Sequence, residues 1–389
     1  MSGWSGEGSI DIDLVLAAGK IAGVRIVNRR VLGGAAVVVG RRAEEGPGLI
    51  SRLFSVCRMA QGVASVRAVE QAGRAPAAAG QEAARRMLLL GEMVLEHGSR
   101  AAFDWPILLG EPPAIGAVKA LRGALTDLHR VIYPEGDWLR PGGGRLAPDL
   151  AGLTERLAAV AEALGLWVFG GEPDFDGREW KRWAGRGRTA AARLLARLAA
   201  EELEGYGASE VTPLPELSEE ALGARMAADR SGSFLASPDW GGLVHQTGPL
   251  ARQSTRPAVA AIIAEYGPGV LAHLTARLVE LAACLREMRD SCGSLCDHDG
   301  APAAAAAAAD GCGLAAIEAA RGRLVHRVEL REGTVAQYQI LAPTEWNFRS
   351  DGALARGLAG QPGGDDPAWR ARLLVTALDP CVAYSLRVA

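Results

Sequence analysis

The chain has 389 residues, of which 49% are hydrophobic and 22% are charged, and its formal net charge is -3. A chain of this length and composition can bury a sizeable core, so a globular protein is expected. The small net charge gives no electrostatic reason to expect nucleic acid or an anionic membrane as a partner. The sequence lacks a basic flank before an apolar core and has no run of about 18 apolar residues, which predicts a cytoplasmic protein without membrane insertion.

Residues 1–47 are predicted to form a β-rich N-terminal part. β-Branched or alternating residues at 9–16 and 24–27 flank the turn-prone sequence AAGK, which indicates a hairpin. The valines at 37–39 favour one further strand.

Residues 48–290 are predicted to form a helical bundle, because apolar residues recur there at helical spacing. The clearest patterns cover 48–72 and 82–102. Further helices are predicted at 114–131, 148–165, 187–204, 217–228 and 256–288.

A Cys- and Ala-rich loop at 291–313 and a C-terminal hairpin with a last helix at 314–389 complete the predicted organisation. The alanine run in the loop is typical of a low-complexity connector. Alternation on both sides of Glu332–Gly333 predicts the hairpin, and the last helix should begin near Asp366–Pro367. The sequence therefore predicts a single domain that is mainly α with small β elements, an α+β fold.

Searches for general catalytic motifs find little in this sequence. It has no phosphate-binding loop, no Gly-x-Gly-x-x-Gly after a strand and no Gly-x-Ser-x-Gly elbow. The six histidines are scattered and form no paired-His metal motif. The reactions that depend on these motifs are not indicated.

Four stretches carry a more specific signal: RLFSVCRMAQGVASVRAVE at 52–70, QTGPLAR at 246–252, IEAARGRLVHRVELREGTVAQYQILAPTEWN at 317–347 and LDPC at 378–381. Together and in this order they resemble the large subunit of nickel-iron hydrogenases. The resemblance implies that family's fold, a helical bundle with N-terminal and C-terminal β-hairpins.

In that family four cysteines hold nickel and iron, two near the N-terminus and two at the C-terminus. Here Cys57 and Cys381 match one bridging and one terminal ligand, while Phe54 and Tyr384 stand where the other two cysteines would be. Two thiolates cannot hold both metals, so the resemblance implies Cys57 and Cys381 as metal ligands of an incomplete centre. We therefore expect no evolution or oxidation of hydrogen.

The family's magnesium site also has no counterpart in this sequence. Arg387 matches the final histidine of the C-terminal motif, and Ala35 matches the N-terminal glutamate. Because an arginine cannot ligate magnesium, magnesium is not expected as a cofactor. Nickel is not expected either, because two of the four cysteines are missing.

Residues around the iron are better preserved than the ligands of nickel. By the resemblance, Arg321 and Thr344 match groups that contact the cyanide ligands of iron, and Glu7 matches a proton-relay glutamate. One buried pocket is expected to contain the two cysteines together with Arg321, Thr344, Phe54 and Tyr384. Thiols near Arg321 are expected to be more acidic than free cysteine.

Each candidate also has a purely structural interpretation. Cys57 could be a small buried hydrophobe, Arg321 could pair with a carboxylate, and Thr344 could cap a turn. Glu7 lies close to a terminus, where a solvated glutamate is equally consistent with the sequence.

A second group of cysteines lies outside the family motifs. Cys292 and Cys296 are spaced i and i+4, with His298, Cys284 and Cys312 nearby in sequence. On one helical face such a pair can chelate a metal or form a redox pair. The alternative is a cysteine-bearing loop without a site.

The combination of a large-subunit-like sequence and an incomplete centre resembles hydrogenase expression/formation proteins, which are paralogues of the large subunit. This resemblance implies an assembly factor that transiently holds an iron with cyanide and carbonyl ligands and transfers it to a hydrogenase large subunit. Its partners would be hydrogenase maturation proteins, the large subunit, or both. Two alternatives stay open: a catalytically inactive interaction or sensor module, and a metal-dependent oxidoreductase that uses the central cysteines.

Overall fold

The computed structural model describes residues 8–30, 32–295 and 310–389. In these residues a large helical body is accompanied by three small sheets, with strand orders β2-β1-β8, β3-β4 and β5-β6-β7. The fold is therefore mainly α with small β elements, as the sequence predicts. None of the helices in the described ranges has the length and apolarity that a bilayer crossing requires.

The strands, in chain order, are β1 (Ser9–Ala17), β2 (Lys20–Asn28), β3 (Thr212–Pro213), β4 (His245–Gln246), β5 (Gly311–Ala319), β6 (Gly322–Arg331), β7 (Thr334–Leu341) and β8 (Ala383–Val388).

The helices, in chain order, are α1 (Gly46–Leu53), α2 (Arg58–Gly73), α3 (Ala79–Ser99), α4 (Trp105–Leu108), α5 (Ile115–Leu125), α6 (Leu128–Ile132), α7 (Leu150–Leu164), α8 (Trp180–Gly185), α9 (Ala190–Ala200), α10 (Glu219–Ala228), α11 (Ser233–Ala236), α12 (Pro249–Gln253), α13 (Pro257–Tyr266), α14 (Val270–Cys292), α15 (Pro343–Asn347), α16 (Ala353–Leu358) and α17 (Pro367–Leu378).

The predicted N-terminal hairpin is confirmed, because β1 pairs antiparallel with β2. Alternate residues of β1, namely Ile10, Ile12 and Leu14, are buried against the helical body. The valines at 37–39 do not form a strand, since residues 32–38 form a 3-10 helix that buries Val38.

The end of the chain forms a strand that the sequence did not predict. β8 pairs parallel with β1, so Leu14 faces Val388 across the sheet. Parallel pairing joins residues more than 370 positions apart here, and local alternation carries no signal for such a partner. The strand places Tyr384 and Arg387 on the N-terminal sheet.

The predicted helix at 48–72 is interrupted. α1 ends at Leu53, Phe54 leaves the helical conformation at φ -104° and ψ 73°, and α2 starts at Arg58. The carboxylate of Glu92, on α3, accepts hydrogen bonds from the amides of Met59 (2.6 Å) and Ala60 (3.1 Å). Glu92 thereby caps the first turn of α2, and the break moves Cys57 to the N-terminus of that helix.

Helix α2 runs through the core and is approached closely from two sides. A Cβ at Gly62 would lie 2.7 Å from the ring of Trp138, and a Cβ at Gly313 would lie 2.0 Å from the carbonyl oxygen of Ala68. Only glycine allows the loop that carries Trp138 and the strand β5 to pack this tightly on α2.

The C-terminal sheet is an antiparallel meander of β5, β6 and β7. The hairpin predicted around Glu332–Gly333 is confirmed, and both turn residues have positive φ, 50° and 71°. β5 begins at Gly311, so the end of the predicted loop at 291–313 is a strand. Residues 296–309 of that loop lie outside the described residues.

Candidate metal site

Cys57 and Cys381 are brought to the same place by two helix ends. Cys57 is the residue before α2, and Cys381 follows the end of α17. At that end Asp379 adopts a left-handed conformation (φ 57°) and Pro380 follows, so the helix cannot continue. Both thiols are partly buried.

The two thiols share one electrostatic environment. The charge of Cys381 is among those that raise the pKa of Cys57. Burial disfavours the charged form of Arg321, but nearby carboxylates and both cysteines raise its pKa. Glu345 and both cysteines likewise raise the pKa of Arg30. Two guanidinium groups therefore lie close enough to both thiols to interact with their charges.

Thr344 contacts Cys381 directly. Its Oγ1 lies 3.0 Å from Sγ of Cys381 and 3.5 Å from the backbone nitrogen of the same residue. The turn that carries Thr344 is fixed by Asn347, whose side chain exchanges two hydrogen bonds with the backbone of Thr247 at 2.9 and 3.0 Å. The hydroxyl is thus held against the thiol rather than only capping a turn.

Arg321 pairs with carboxylates as well as lying beside the thiols. Its Nη2 donates to Glu96 at 2.8 Å, and its Nε lies 3.5 Å from Asp379. Both interpretations of Arg321 are therefore compatible, because the carboxylates orient a guanidinium that still interacts with Cys57 and Cys381.

Asp379 is surrounded by three arginines. Arg100 and Arg277 lie 3.0 and 2.9 Å from its oxygens, and Arg321 completes the group. Burial by itself favours the neutral acid, but the three guanidinium groups hold the pKa of Asp379 far below its ordinary value. This buried carboxylate fixes the turn that presents Cys381.

The sequence reasoning missed a second buried ion pair at the site. Arg30, just after β2, donates from Nη1 to both oxygens of Glu345 at 2.7 and 2.9 Å. Phe54 packs nearby, with its ring centroid 6.0 Å from the Arg30 guanidinium carbon. Glu345 stands next to Thr344 in the PTEWN run and could have been noticed, whereas Arg30 belongs to no motif.

The expected acidity of the site thiols is wrong for Cys57. Burial raises the pKa of Cys57 to about 12, and the negative charges of Glu92 and Cys381 add to this effect. A hydrogen bond from Gln61 (3.5 Å) and the charge of Arg321 oppose it but are weaker. The Cys57 thiol is therefore protonated at neutral pH, and a metal must displace this proton.

Two positions expected beside the thiols differ in their placement. Phe54 is half-buried next to Arg30, but Tyr384 is 37% exposed on β8. The prediction that Tyr384 enters one buried pocket with the cysteines is wrong, because pairing with β1 holds this residue on the sheet.

The positions matching the magnesium ligands have structural roles. Arg387 is exposed on β8 and pairs with Asp13 at 2.6 Å, and Ala35 is buried. Glu7 lies outside the described residues.

The central cysteines are dispersed over the described part. Cys284 and Cys292 are buried on α14, and Cys312 is exposed on β5. α14 ends at Cys292 and a turn follows it. Cys296 and His298, the other members of the predicted group, lie outside the described residues. Nowhere in residues 8–30, 32–295 and 310–389 do three or more His, Cys, Asp or Glu side chains form a group suited to a metal ion.

The fold is similar to that of solved hydrogenases. It superposes on the Ni-Fe-Se hydrogenase of Desulfovibrio vulgaris Hildenborough with a TM-score of 0.69 at 17% identity, covering 94% of both chains. The corresponding protein of Desulfomicrobium baculatum gives 0.67 at 15% identity and 95% coverage of both chains. The chain thus has the fold of nickel-iron hydrogenase large subunits.

Sequence comparison identifies the family to which the chain belongs. Residues 204–386 match the family described as nickel-dependent hydrogenase. The chain is 31% identical over 393 residues to the hydrogenase expression/formation protein HupK of Rhizobium leguminosarum bv. viciae, covering 98% of this chain and 97% of the relative. It is 32% identical to HoxV of Cupriavidus necator, with coverage of 90% and 89%. The chain belongs to this family of hydrogenase expression/formation proteins.

Proposed function

We propose that the protein is a hydrogenase assembly factor that holds an iron with cyanide and carbonyl ligands on Cys57 and Cys381 and delivers it to a hydrogenase large subunit. The names of its relatives support the role in hydrogenase formation. The observation that carries the finer proposal is the pair of thiols beside Arg30 and Arg321, with Thr344 bonded to one of them.

The donor set suits iron as cargo rather than as a resident cofactor. Thiolates are soft ligands that match an iron with strong-field diatomic ligands. Two protein ligands form fewer bonds than the four of a complete nickel-iron centre, so release requires fewer bonds to break. Cys57 and Cys381 therefore favour binding that can be reversed.

The surrounding side chains provide donors for cyanide nitrogens. Arg321 and Arg30 carry guanidinium groups fixed by carboxylates, and Thr344 presents a hydroxyl at Cys381. Fixed, charged donors make strong hydrogen bonds to anionic acceptors. These groups would orient the iron and favour cyanide-bearing iron over the bare ion.

The protonated state of Cys57 is consistent with transfer. Because its pKa is raised to about 12, loading of iron onto Cys57 releases a proton, and return of a proton weakens the bond. Protonation therefore favours delivery to an acceptor whose thiols ionise more readily.

The test is infrared spectroscopy in the cyanide and carbonyl stretching region, together with iron analysis. The protein would be purified anaerobically from cells that express the hydrogenase maturation machinery. The wild type should show both bands, and Cys57→Ser and Cys381→Ser should lose them while remaining folded. Cys284→Ser is the matched control, because it replaces a buried thiol on α14 that is not one of the two proposed ligands.

Retention of the bands in both site variants would contradict the iron-holding role. Absence of the bands from the wild type, together with stable copurification with a hydrogenase small subunit, would instead support the interaction module.

A further inference from the structure

A pocket of about 330 Å³ lies beside the Cys57 segment, between α1, the first residue of α2 and the loop at 136–141. We propose that this pocket binds an oxyanion, a phosphate or carboxylate group, through Arg52, Arg58 and Arg140. The proposal goes beyond the iron-holding function and does not depend on it.

The three arginines that line the pocket have no carboxylate partner in the described part of the chain. Neighbouring Arg145 shows the contrast, because its Nη1 pairs with Glu135 at 2.7 Å. The Nε–H of Arg58 is buried and donates to no acceptor among the described residues. At the wall of a pocket, such a donor can bond to an acceptor on a ligand.

The acidic residues of the pocket wall do not cancel this charge. Glu44 pairs with Arg42 at 2.9 Å, outside the group of three. Asp137 accepts two hydrogen bonds from the backbone nitrogen of Arg145 at 3.1 and 2.9 Å. Glu44 is balanced by Arg42, and the single charge of Asp137 cannot balance three guanidinium groups, so the pocket keeps an excess of positive charge although the whole chain has a net charge of -3.

The floor of the pocket is rigid. Trp138 is buried and packs over Gly62 of α2, where any Cβ would lie 2.7 Å from the indole ring. The loop carrying Arg140 is therefore held in place before a ligand arrives. A concave site of this size has room for a phosphate or carboxylate group, and guanidinium groups match the planar and tetrahedral oxygens of such anions.

The pocket also connects the two helices on either side of Cys57. Arg52 belongs to α1 and Arg58 to α2, and Ser51 Oγ donates to the carbonyl oxygen of Arg58 at 3.1 Å. An anion bound by both arginines would add a second connection across the break at Phe54–Cys57. Occupancy of the pocket should therefore restrict the motion of Cys57.

Binding would be measured by calorimetry on the full chain at low ionic strength, with inorganic phosphate, pyrophosphate and a hexaglutamate peptide as probes. Arg52→Gln and Arg140→Gln should each weaken binding roughly tenfold, the size of one charged hydrogen bond. Arg122→Gln is the control, because Arg122 is exposed on α5 and has no ion-pair partner among the described residues.

Binding of phosphate or pyrophosphate would identify a free anion as the ligand, and binding of the peptide alone would identify carboxylates of a polypeptide. Either result supports the oxyanion pocket if it depends on Arg52 and Arg140. Absence of saturable binding, or equal loss with Arg122→Gln, would overturn it.

The effect on Cys57 has a separate readout. Iodoacetamide labelling of Cys57, located by mass spectrometry, should slow severalfold when the best probe is bound. Arg52→Gln should abolish the slowing. An unchanged labelling rate at saturating probe would show that the pocket does not restrict Cys57.

Discussion

The two halves of the candidate site differ in burial and in contacts. Cys57, Cys381 and Thr344 lie together beside buried guanidinium groups, and one hydroxyl already contacts a thiol. By the resemblance, Phe54 and Tyr384 stand where two further cysteines would be. Phe54 packs beside Arg30, one of these guanidinium groups, whereas Tyr384 is exposed on β8. The side chains around the two thiols are thus buried and bonded to one another, whereas Tyr384 is exposed on the sheet.

Ion pairs in the two halves illustrate the same difference. Asp379 is enclosed by arginines next to Cys381, whereas the pair of Arg387 with Asp13 is exposed. Breaking a buried pair leaves uncompensated charge, while an exposed pair exchanges its partner for water. The buried half, around Cys57, Cys381 and Asp379, should therefore be sensitive to substitution. The exposed half, around Tyr384 and Arg387, should tolerate it.

The largest effect is expected at the thiols. Cys57→Ser and Cys381→Ser should each reduce iron content and maturation of the partner hydrogenase more than about tenfold, because a hard, protonated hydroxyl replaces a soft ligand. The double variant should be no worse than the single variants, since the two ligands act as a unit. Normal maturation by both single variants would contradict the proposed iron site.

Removal of the buried carboxylate should be the next largest effect. Asp379→Asn is expected to lower the free energy of unfolding by about 3–5 kcal/mol, because the arginines around it lose their counter-charge. Denaturant unfolding would measure the loss. Asp13→Asn is the matched control in the exposed half and should leave the unfolding midpoint unchanged; equal effects would erase the distinction between the halves.

Thr344 should contribute through the ligand it contacts. Thr344→Val keeps the shape but removes the hydroxyl bonded to Cys381, so iron should be retained about tenfold more weakly. Competition with a chelator would measure this change. Thr344→Ser keeps the hydroxyl and should behave like the wild type, which a steric role for the methyl group would not predict.

The buried interior should also make the protein sensitive to acid. Burial lowers the pKa of His326 to about 3, and the charge of Arg30 adds to this effect. The folded state therefore binds fewer protons than the unfolded state between pH 3 and about 6.5, so stability falls as the pH decreases through this range. At pH 5.5 this residue should lower the unfolding free energy by about 1.3 kcal/mol relative to pH 7.

His326→Phe should flatten this pH dependence. Tyr338, which lies 2.8 Å from Nδ1 of His326, keeps its hydrogen bond to Ser65 in the variant, so folding should survive. An identical slope of stability against pH in wild type and variant would show that His326 does not titrate as expected.

The smallest effect is expected at the position of the missing C-terminal cysteine. Tyr384 is exposed on β8, so Tyr384→Phe should change the unfolding free energy by less than about 0.5 kcal/mol and leave iron content unchanged. A loss of iron in this variant would place Tyr384 in the functional half of the site after all.

The sequence by itself determined the class of fold, the N-terminal and C-terminal hairpins and most helices, because alternation and helical spacing are local patterns. It also indicated Cys57, Cys381, Arg321 and Thr344 as a group, although only through the order of motifs shared with a family. Glycine at Gly333 and proline at Pro367 marked a turn and a helix start for equally local reasons.

The tertiary structure decided what depends on distant partners. Glu92 of α3 caps α2 and sets the break before Cys57, and β8 pairs with β1 from the other end of the chain. Burial and a carboxylate, rather than the nearby arginine, set the pKa of Cys57. These features arise from desolvation and from contacts between remote segments, and neither quantity is encoded in the spacing of neighbouring residues.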